Sequence, residues 1–402
     1  MNLLQEGILT HAVEKTEMTR KLTLDGVTKA YPVYRVHLDS LYYNDQNDRI
    51  ATYISQYRSE HDGAAPDPSD REGYNAVIEQ FIIDSNPEAI RKTRTNIEMV
   101  GQREPGVVLS DGRVIDGNRR FTCLRQLSRK KDGFNYFETV ILDRSIEHNM
   151  KQIKLLELSI QHGEEARVDY NPVDRLVGVY QDIIETGLLT VDEYARSTNE
   201  TPAQVRSRME TAQLLVEFLE FINAPKQFYI VRDLQVAATL EELPTLLRKC
   251  RTEDEKEDMK IAVFANILMN NSGEMRAFVR NIKKVAGSEY QAEYLSEQQE
   301  LAMQVVDSLP PVGKVTGEVI REQIRTRSDL ADALNRSLEK ATLKVKKSDT
   351  RNRPIQLAEK ATNFLEDIDQ HILLKMNDSE LQRFARQLDL LEGVIAQLRE
   401  NL

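Results

Sequence analysis

The chain has 402 residues, 40% hydrophobic and 30% charged, enough for roughly two to four helix-rich domains with sizeable cores. No run of about 18 apolar residues occurs, which excludes a membrane-spanning helix, and the first residues lack the basic-then-apolar pattern of a secretory leader, so a cytoplasmic protein is expected. A net charge of −11 argues against non-specific coating of nucleic acid and leaves any DNA binding to a local site.

The pattern of the first 145 residues predicts an α+β domain. Val33 to Leu38 reads as an early strand, followed by a polar turn from Asn44 to Arg49 and a helix from Ile50 to Tyr57. His61 to Asp70 holds a glycine and two prolines among acids and reads as a loop. A helix resumes near Tyr74 to Ile83. Another starts behind Ser85-Asn86-Pro87, a capping residue before proline, and runs to about Met99. Val107 to Leu109 and Val114 to Ile115 flank Ser110-Asp111-Gly112, the signal of a hairpin. The second run ends in Asp116-Gly117, and Asn118 to Leu124 opens a helix. Phe137 to Leu142 closes the domain as a strand.

That strand–glycine–helix corner is the most informative stretch of the chain. A helix start presents backbone N–H groups that suit an anion. Arg119 and Arg120 sit in the first turn, where a purely structural helix favours acids, and two guanidinium forks suit a phosphate. The same residues also fit a hairpin followed by a surface helix with two solvated arginines.

From residue 146 onward strand signals nearly vanish. Lys151 to Gln161 is a helix, and Asn171-Pro172 starts the next, which ends near Thr186-Gly187. Leu188 to Met209 reads as a helix, a tight polar turn and a second helix capped by Thr201 with Pro202 at its first position. Val191, Tyr194, Ala195, Val205 and Met209 are expected to face inward. Gln204, Arg206, Ser207 and Arg208 are expected to face outward, as a helix entering the major groove of DNA requires. A plain scaffold hairpin has the same pattern. Residues 146–225 are thus expected as a helical domain with a helix-turn-helix, and 226–342 as a helical domain with no identifiable chemistry.

Residues 343–402 are expected as a linker and a terminal helical pair. Leu343 to Pro354 is basic and polar and reads as the linker. The last helix starts at Asn377 with Glu380 in capping-box spacing, and Leu381, Phe384, Leu388, Leu391, Ile395, Leu398 and Leu402 repeat by threes and fours. Ala361, Leu365, Ile368 and Ile372 offer a matching stripe, which predicts an antiparallel pair. Self-association through residues 355–402 and packing within one chain both satisfy the repeat. Cys123 and Cys250 have no metal or redox spacing and read as small buried hydrophobes; the 6 histidines form no ligand pair.

Four segments, in order, resemble boxes of the ParB family of chromosome and plasmid partition proteins, within the ParB/sulfiredoxin superfamily. Tyr43 to Arg49 is similar to the family's Asn-Pro-x-Gln-Pro-Arg segment, and Gly101 to Pro105 to the Gly-x-x-x-Pro before the hairpin. Gly117-Asn118-Arg119-Arg120 resembles the Gly-Glu-Arg-Arg box that holds the triphosphate of CTP. Glu157 to His162, then Tyr170-Asn171-Pro172, resemble the Glu-Asn-x-Gln-Arg box and the Leu-Asn-Pro after it. The resemblance spans roughly residues 28–225.

It implies a ParB/sulfiredoxin-like domain followed by all-α helix-turn-helix and helical regions. CTP, or another nucleoside triphosphate, with Mg²⁺ would close a dimeric clamp on DNA, and a weak CTPase activity and a partner ATPase go with that reading. Asp116, Gly117, Asn118, Arg119 and Arg120 would hold the nucleotide. Glu157 and Ser159 would place Mg²⁺ and serve catalysis, and Gln204, Arg206, Ser207 and Arg208 would contact DNA. The departures are specific. Asn118 replaces a glutamate, Ser159 stands where the family has a Mg²⁺-proximal asparagine, and His162 replaces an arginine. A sulfiredoxin-type reductase is not expected, because Asn118 occupies the place of its reactive cysteine. A small-molecule kinase, a nuclease and a nucleotide-free scaffold of the same fold remain alternatives.

Overall fold

The computed structural model describes residues 2–400 apart from Asp25, Ser145, residues 164–170 and Asn271. Tyr170 of the last ParB-like segment and the side chain of His162 lie outside the described residues. Met1–Glu339 and Lys340–Leu402 form two separate units.

The first unit opens with a mixed sheet. Its strands are β1 (Val13–Leu24), β2 (Val27–His37), β3 (Tyr42–Tyr43), β4 (Gly106–Leu109), β5 (Arg113–Asp116) and β6 (Tyr136–Leu142), in spatial order β1-β2-β6-β4-β5-β3. The β4–β6 and β3–β5 pairs are parallel and the other neighbours antiparallel. The helices woven through it are α1 (Ala51–Glu60), α2 (Arg71–Ser85), α3 (Pro87–Val100) and α4 (Asn118–Ser128). Successive strand side chains point to opposite faces. Val36, Val108, Phe137 and Ile141 accordingly pack on Ile78, Ile90, Ile97, Phe121 and Leu124 of the helices. Val33, Val107, Leu109, Val140 and Leu142 pack on the other side, against Ile153, Leu156 and Ile160 of α5 (Ile146–Gly163).

Helix α5 also joins the sheet to the helices that follow. Its Ile153, Leu156 and Ile160 share one face by helical spacing, while Leu158 points into a separate core with Val179, Leu189, Tyr194, Ala195 and Val205. That core draws on α6 (Pro172–Val179), α7 (Val191–Thr198) and α8 (Pro202–Phe221). Then come α9 (Phe228–Leu234), α10 (Ala237–Leu247), α11 (Glu253–Met269), α12 (Ser272–Val285), α13 (Gln291–Asp307) and the short α14 (Gly317–Val319). The last helices are α15 (Ser328–Glu366), α16 (Gln370–Leu373) and α17 (Asp378–Arg399). The expected α+β region followed by a helical remainder is present, and no helix among the described residues is long and apolar enough to cross a membrane.

Two expectations need correction, and one strand went unpredicted. Val33 to His37 is a strand as expected, the end of β2, with Leu38 just beyond it, but β1 precedes it. β1 is an edge strand that buries only Val13, Leu22 and Leu24, so its sequence lacks the alternation that marks a strand. Leu343 to Pro354 is not a linker, because it lies inside α15. Lysine, arginine and leucine around it are good helix formers, and they carry the helix through the proline. The terminal helices do not pack as a pair. α17 starts with the expected Asn377–Glu380 capping box but buries no residue, and Leu365 and Ile372 are exposed as well.

Candidate functional site

Strand β5 ends at Asp116, and the chain turns into α4 through Gly117, which has φ +93°. A Cβ on Gly117 would lie 2.8 Å from the Phe137 ring and 3.2 Å from the Arg120 guanidinium, so only glycine allows this corner. Gly117 has no side chain to cap the helix, and the first helical hydrogen bond runs from Phe121 N–H to the Gly117 carbonyl at 2.9 Å. The first turn carries no acid; it carries Arg119 and Arg120. The opposite side of α4 is held by the core. Arg125 donates to Glu79 of α2 at 2.8 Å, and the Thr122 hydroxyl hydrogen-bonds with Tyr43 at 2.9 Å. The half of the helix left open is therefore its start.

That start lines a cavity of about 220 Å³. Asn47 and Arg49 enter from the turn before α1, Asn86 and Thr93 from α3, and Gln161 from α5. Asp116, Gly117, Asn118, Arg119 and Arg120 complete the wall, so the five residues expected at a nucleotide are together. Arg120 Nη2 lies 3.2 Å from Asp116 Oδ2, and Arg20 Nη1 reaches the same oxygen at 2.8 Å. Asn118 is only 9% exposed, and its Oδ1 is buried with no hydrogen-bond partner. A buried polar atom left in this way is costly unless an occupant satisfies it.

The structure does not place Glu157 and Ser159 on this wall. The Ser159 hydroxyl donates to the Leu156 carbonyl at 2.9 Å, a local helix bond. Glu157 is buried off that wall and accepts a hydrogen bond at 3.0 Å from the amide of Gln161, which does line it. Its surroundings are a charged layer. Lys154 Nζ lies 2.5 Å from Asp48 and 3.3 Å from Asp182. Burial would drive Lys154 toward neutrality, but Asp48, Asp182 and Glu157 outweigh it and hold the ammonium charged. Burial, together with the Asp48 and Asp182 charges, pushes the Glu157 carboxyl well above its usual range despite Lys154. No group of three or more histidine, cysteine or acidic side chains among the described residues is arranged for a metal. Among the described residues, the wall offers the Mg²⁺ implied by the resemblance a neutral Asn118 and an Asp116 already bridged by two arginines, while Glu157 does not line it.

Asp48 links this layer to the pocket. It stands between two pocket residues, Asn47 and Arg49, and Gly178 of α6 is close enough that a Cβ there would lie 2.8 Å from its carboxylate. Helix α1, which follows, is keyed into the helical region. Thr52 N–H donates to Asp174 at 3.0 Å, Ser55 donates to the Lys226 carbonyl at 2.7 Å, and Arg232 donates to Gln56 at 2.9 Å.

The helix–turn–helix forms as expected in its backbone. Asn199 adopts the left-handed turn, and Thr201 and Gln204 close a reciprocal capping box with Pro202 in the first turn. Tyr194, Ala195 and Val205 are buried. Arg206 and Ser207 are exposed. Gln204 is exposed but committed to the cap. Arg208 is the exception to the expected outward face: it makes a two-pronged bond to Glu200, at 2.6 and 2.7 Å. Glu200 also bonds Arg175 of α6. The spacing pointed Arg208 outward because a helical wheel does not show an acid across the preceding turn.

Cys123 is core, as expected; burial pushes its thiol up to about 12. Arg20 and Thr93 were not singled out from the sequence, and Asn86 was read only as a helix cap, because their distance from Gly117 in sequence hides the shared pocket. Arg49 and Gln161 did carry a signal, each within a ParB-like segment.

Residues 188–306 match the family described as an uncharacterized protein domain, DUF2202, a stretch that contains the helix–turn–helix but not the pocket. No curated protein matches the chain.

Proposed function

We propose that this chain is a cytoplasmic nucleotide-responsive DNA-binding protein of ParB type, whose pocket at Gly117–Arg120 grips the phosphates of a nucleoside triphosphate. CTP is the first candidate, from the resemblance of the Gly-Asn-Arg-Arg corner. The observation that carries the reading is the uncapped start of α4: a left-handed glycine, an unpartnered buried Asn118 oxygen and three guanidinium groups on one wall. A volume of about 220 Å³ is below that of a pocket for a whole drug-sized ligand, which suits a phosphate tail with base and sugar nearer the mouth.

Two features support a link from nucleotide to DNA. Asp48, between two pocket residues, is paired with Lys154, and the Asp48, Asp182 and Lys154 charges all act on buried Tyr194 of α7. A ligand that moves the Asn47–Arg49 turn thus acts on a charged layer that abuts the helix–turn–helix. DNA contact rests on Arg206, Ser207 and Gln204, without Arg208. The exposed Leu381, Leu388, Leu391, Ile395 and Leu398 of α17 supply an apolar face for a second copy.

Calorimetric titration of the full chain with CTP, ATP, GTP and UTP tests the pocket. Saturable binding by at least one of them, abolished in Arg119→Ala with the oligomeric state unchanged, is the expected result. Equal affinity in the variant would remove the site. DNA binding should weaken with salt and weaken further in Arg206→Ala.

A further inference from the structure

We propose that the pocket takes its phosphate ligand as the free polyanion, without a divalent cation between protein and phosphate. This rests on the phosphate reading of the pocket and goes beyond it by fixing the ionic form of the ligand. Hard divalent cations are held by carboxylates and neutral oxygens, and Mg²⁺ in phosphate sites commonly uses one or two carboxylates from the protein. Among the described residues, the wall of this pocket holds three guanidiniums, those of Arg49, Arg119 and Arg120, against one carboxylate, that of Asp116. That carboxylate oxygen is already bridged by Arg20 at 2.8 Å and Arg120 at 3.2 Å. A cation placed there would have to displace an arginine and sit among three others.

The two side chains from which the resemblance would draw metal help are elsewhere. The Glu157 carboxyl accepts from Gln161 in the layer organised by Lys154, and the Ser159 hydroxyl is spent on its own helix. Asn118, in the position where the family box has its acid, contributes no charge. What the wall offers is the equipment for a bare anion: planar guanidinium forks, an uncapped helix start and an amide. Mg²⁺ bound to the phosphates would cancel two ligand charges and occupy the oxygens the arginines need. Added Mg²⁺ is therefore a competitor in this site.

The experiment is calorimetry on the full-length protein with inorganic pyrophosphate and with CTP, once in EDTA and once in excess Mg²⁺. Binding in EDTA that is within about threefold of the Mg²⁺ value, or tighter, is the expected result. Affinity more than about threefold tighter in Mg²⁺, or heat seen in Mg²⁺ alone, overturns the inference and leaves the phosphate reading standing. No heat from either probe in either buffer overturns the phosphate reading itself. Asn118→Asp, close in shape to the native residue, adds the missing acid. It should weaken binding in EDTA by about tenfold or more and make it respond positively to Mg²⁺. An unchanged profile in that variant, with an unchanged circular dichroism spectrum, would place the ligand away from α4 and overturn the proposal.

Discussion

The starts of α4 and α8 carry the same kind of sequence, a polar turn followed by arginines, and do opposite things. At α8, Thr201 and Gln204 satisfy each other's backbone, Pro202 has no N–H in want of an acceptor, and Glu200 clasps Arg208. At α4, glycine replaces the cap, the arginines face a cavity, and an amide oxygen has no partner. A helix start that completes its own hydrogen bonds serves the fold. One that leaves them open, and is held in place by bonds on its far side, is available to a ligand. Counting arginines does not separate the two; accounting for caps and counter-charges does.

The strongest way to break this contrast is to remove the post between the two regions. Lys154→Met would leave Asp48, Asp182 and Glu157 buried without their cation and should cost about 3–5 kcal/mol in chemical denaturation. A loss under about 1 kcal/mol would show that the layer is hydrated and does not bind the pocket turn to the helical region. Next in size is the double change Arg119→Ala/Arg120→Ala. Two charge-assisted contacts at about 1.5–3 kcal/mol each predict a loss of phosphate affinity of roughly a hundredfold or more. The matching pair Arg206→Ala/Arg208→Ala should leave that affinity unchanged and lower stability instead, through Arg208 alone.

The legibility of the two starts follows the range of the interactions. Asn86-Pro87, Thr201-Pro202-x-Gln204 and Asn377-x-x-Glu380 were readable because a cap is settled within four residues. Gly117 was readable for the same reason. Arg20 clamping Asp116 was not, since the partners are 96 residues apart and β1 itself is too polar to announce a strand. Glu200 and Arg208 are only 8 residues apart, yet a turn of left-handed backbone at Asn199 decides that they meet. Glu157 shares a face of α5 with Gln161, one turn on, yet only Gln161 lines the pocket, and the buried Glu157 carboxyl is taken by the Gln161 amide.

Acidity separates the supports of the two starts further. Burial alone would raise the Glu200 carboxyl, but the Arg208 hydrogen bond and the Arg208 and Arg175 charges outweigh it and hold it below the usual carboxylate range. Its stabilising contribution is therefore present above the unfolded carboxylate pKa and lost as the pH falls below it. Glu200→Gln should cost about 1–3 kcal/mol at neutral pH, with the gap to wild type closing below about pH 4. Asp174, beside the pocket turn, goes the other way, because burial raises it to about 7. Its contribution is full below the unfolded value of 3.8 and drains away as the pH rises through about 7. Asp174→Asn keeps an acceptor for Thr52 N–H, so its melting temperature should gain on wild type from about pH 4 to 7 and stay level above. Parallel curves would remove Asp174 from the ionisable layer.

The smallest effect is the cleanest comparison of the two starts. Thr201→Ala opens the α8 cap by removing the hydroxyl that accepts from Gln204 N–H, and should cost about 1 kcal/mol of stability. It also frees the Gln204 amide and exposes N–H groups, so by geometry α8 then resembles α4. Phosphate affinity should nevertheless be unaffected, because Arg208 and Arg175 beside that helix start are both committed to Glu200. If Thr201→Ala created measurable pyrophosphate binding at α8, an open helix start would be sufficient for anion capture, and the walls contributed by Arg49, Asn86 and Gln161 at α4 would lose their place in the argument.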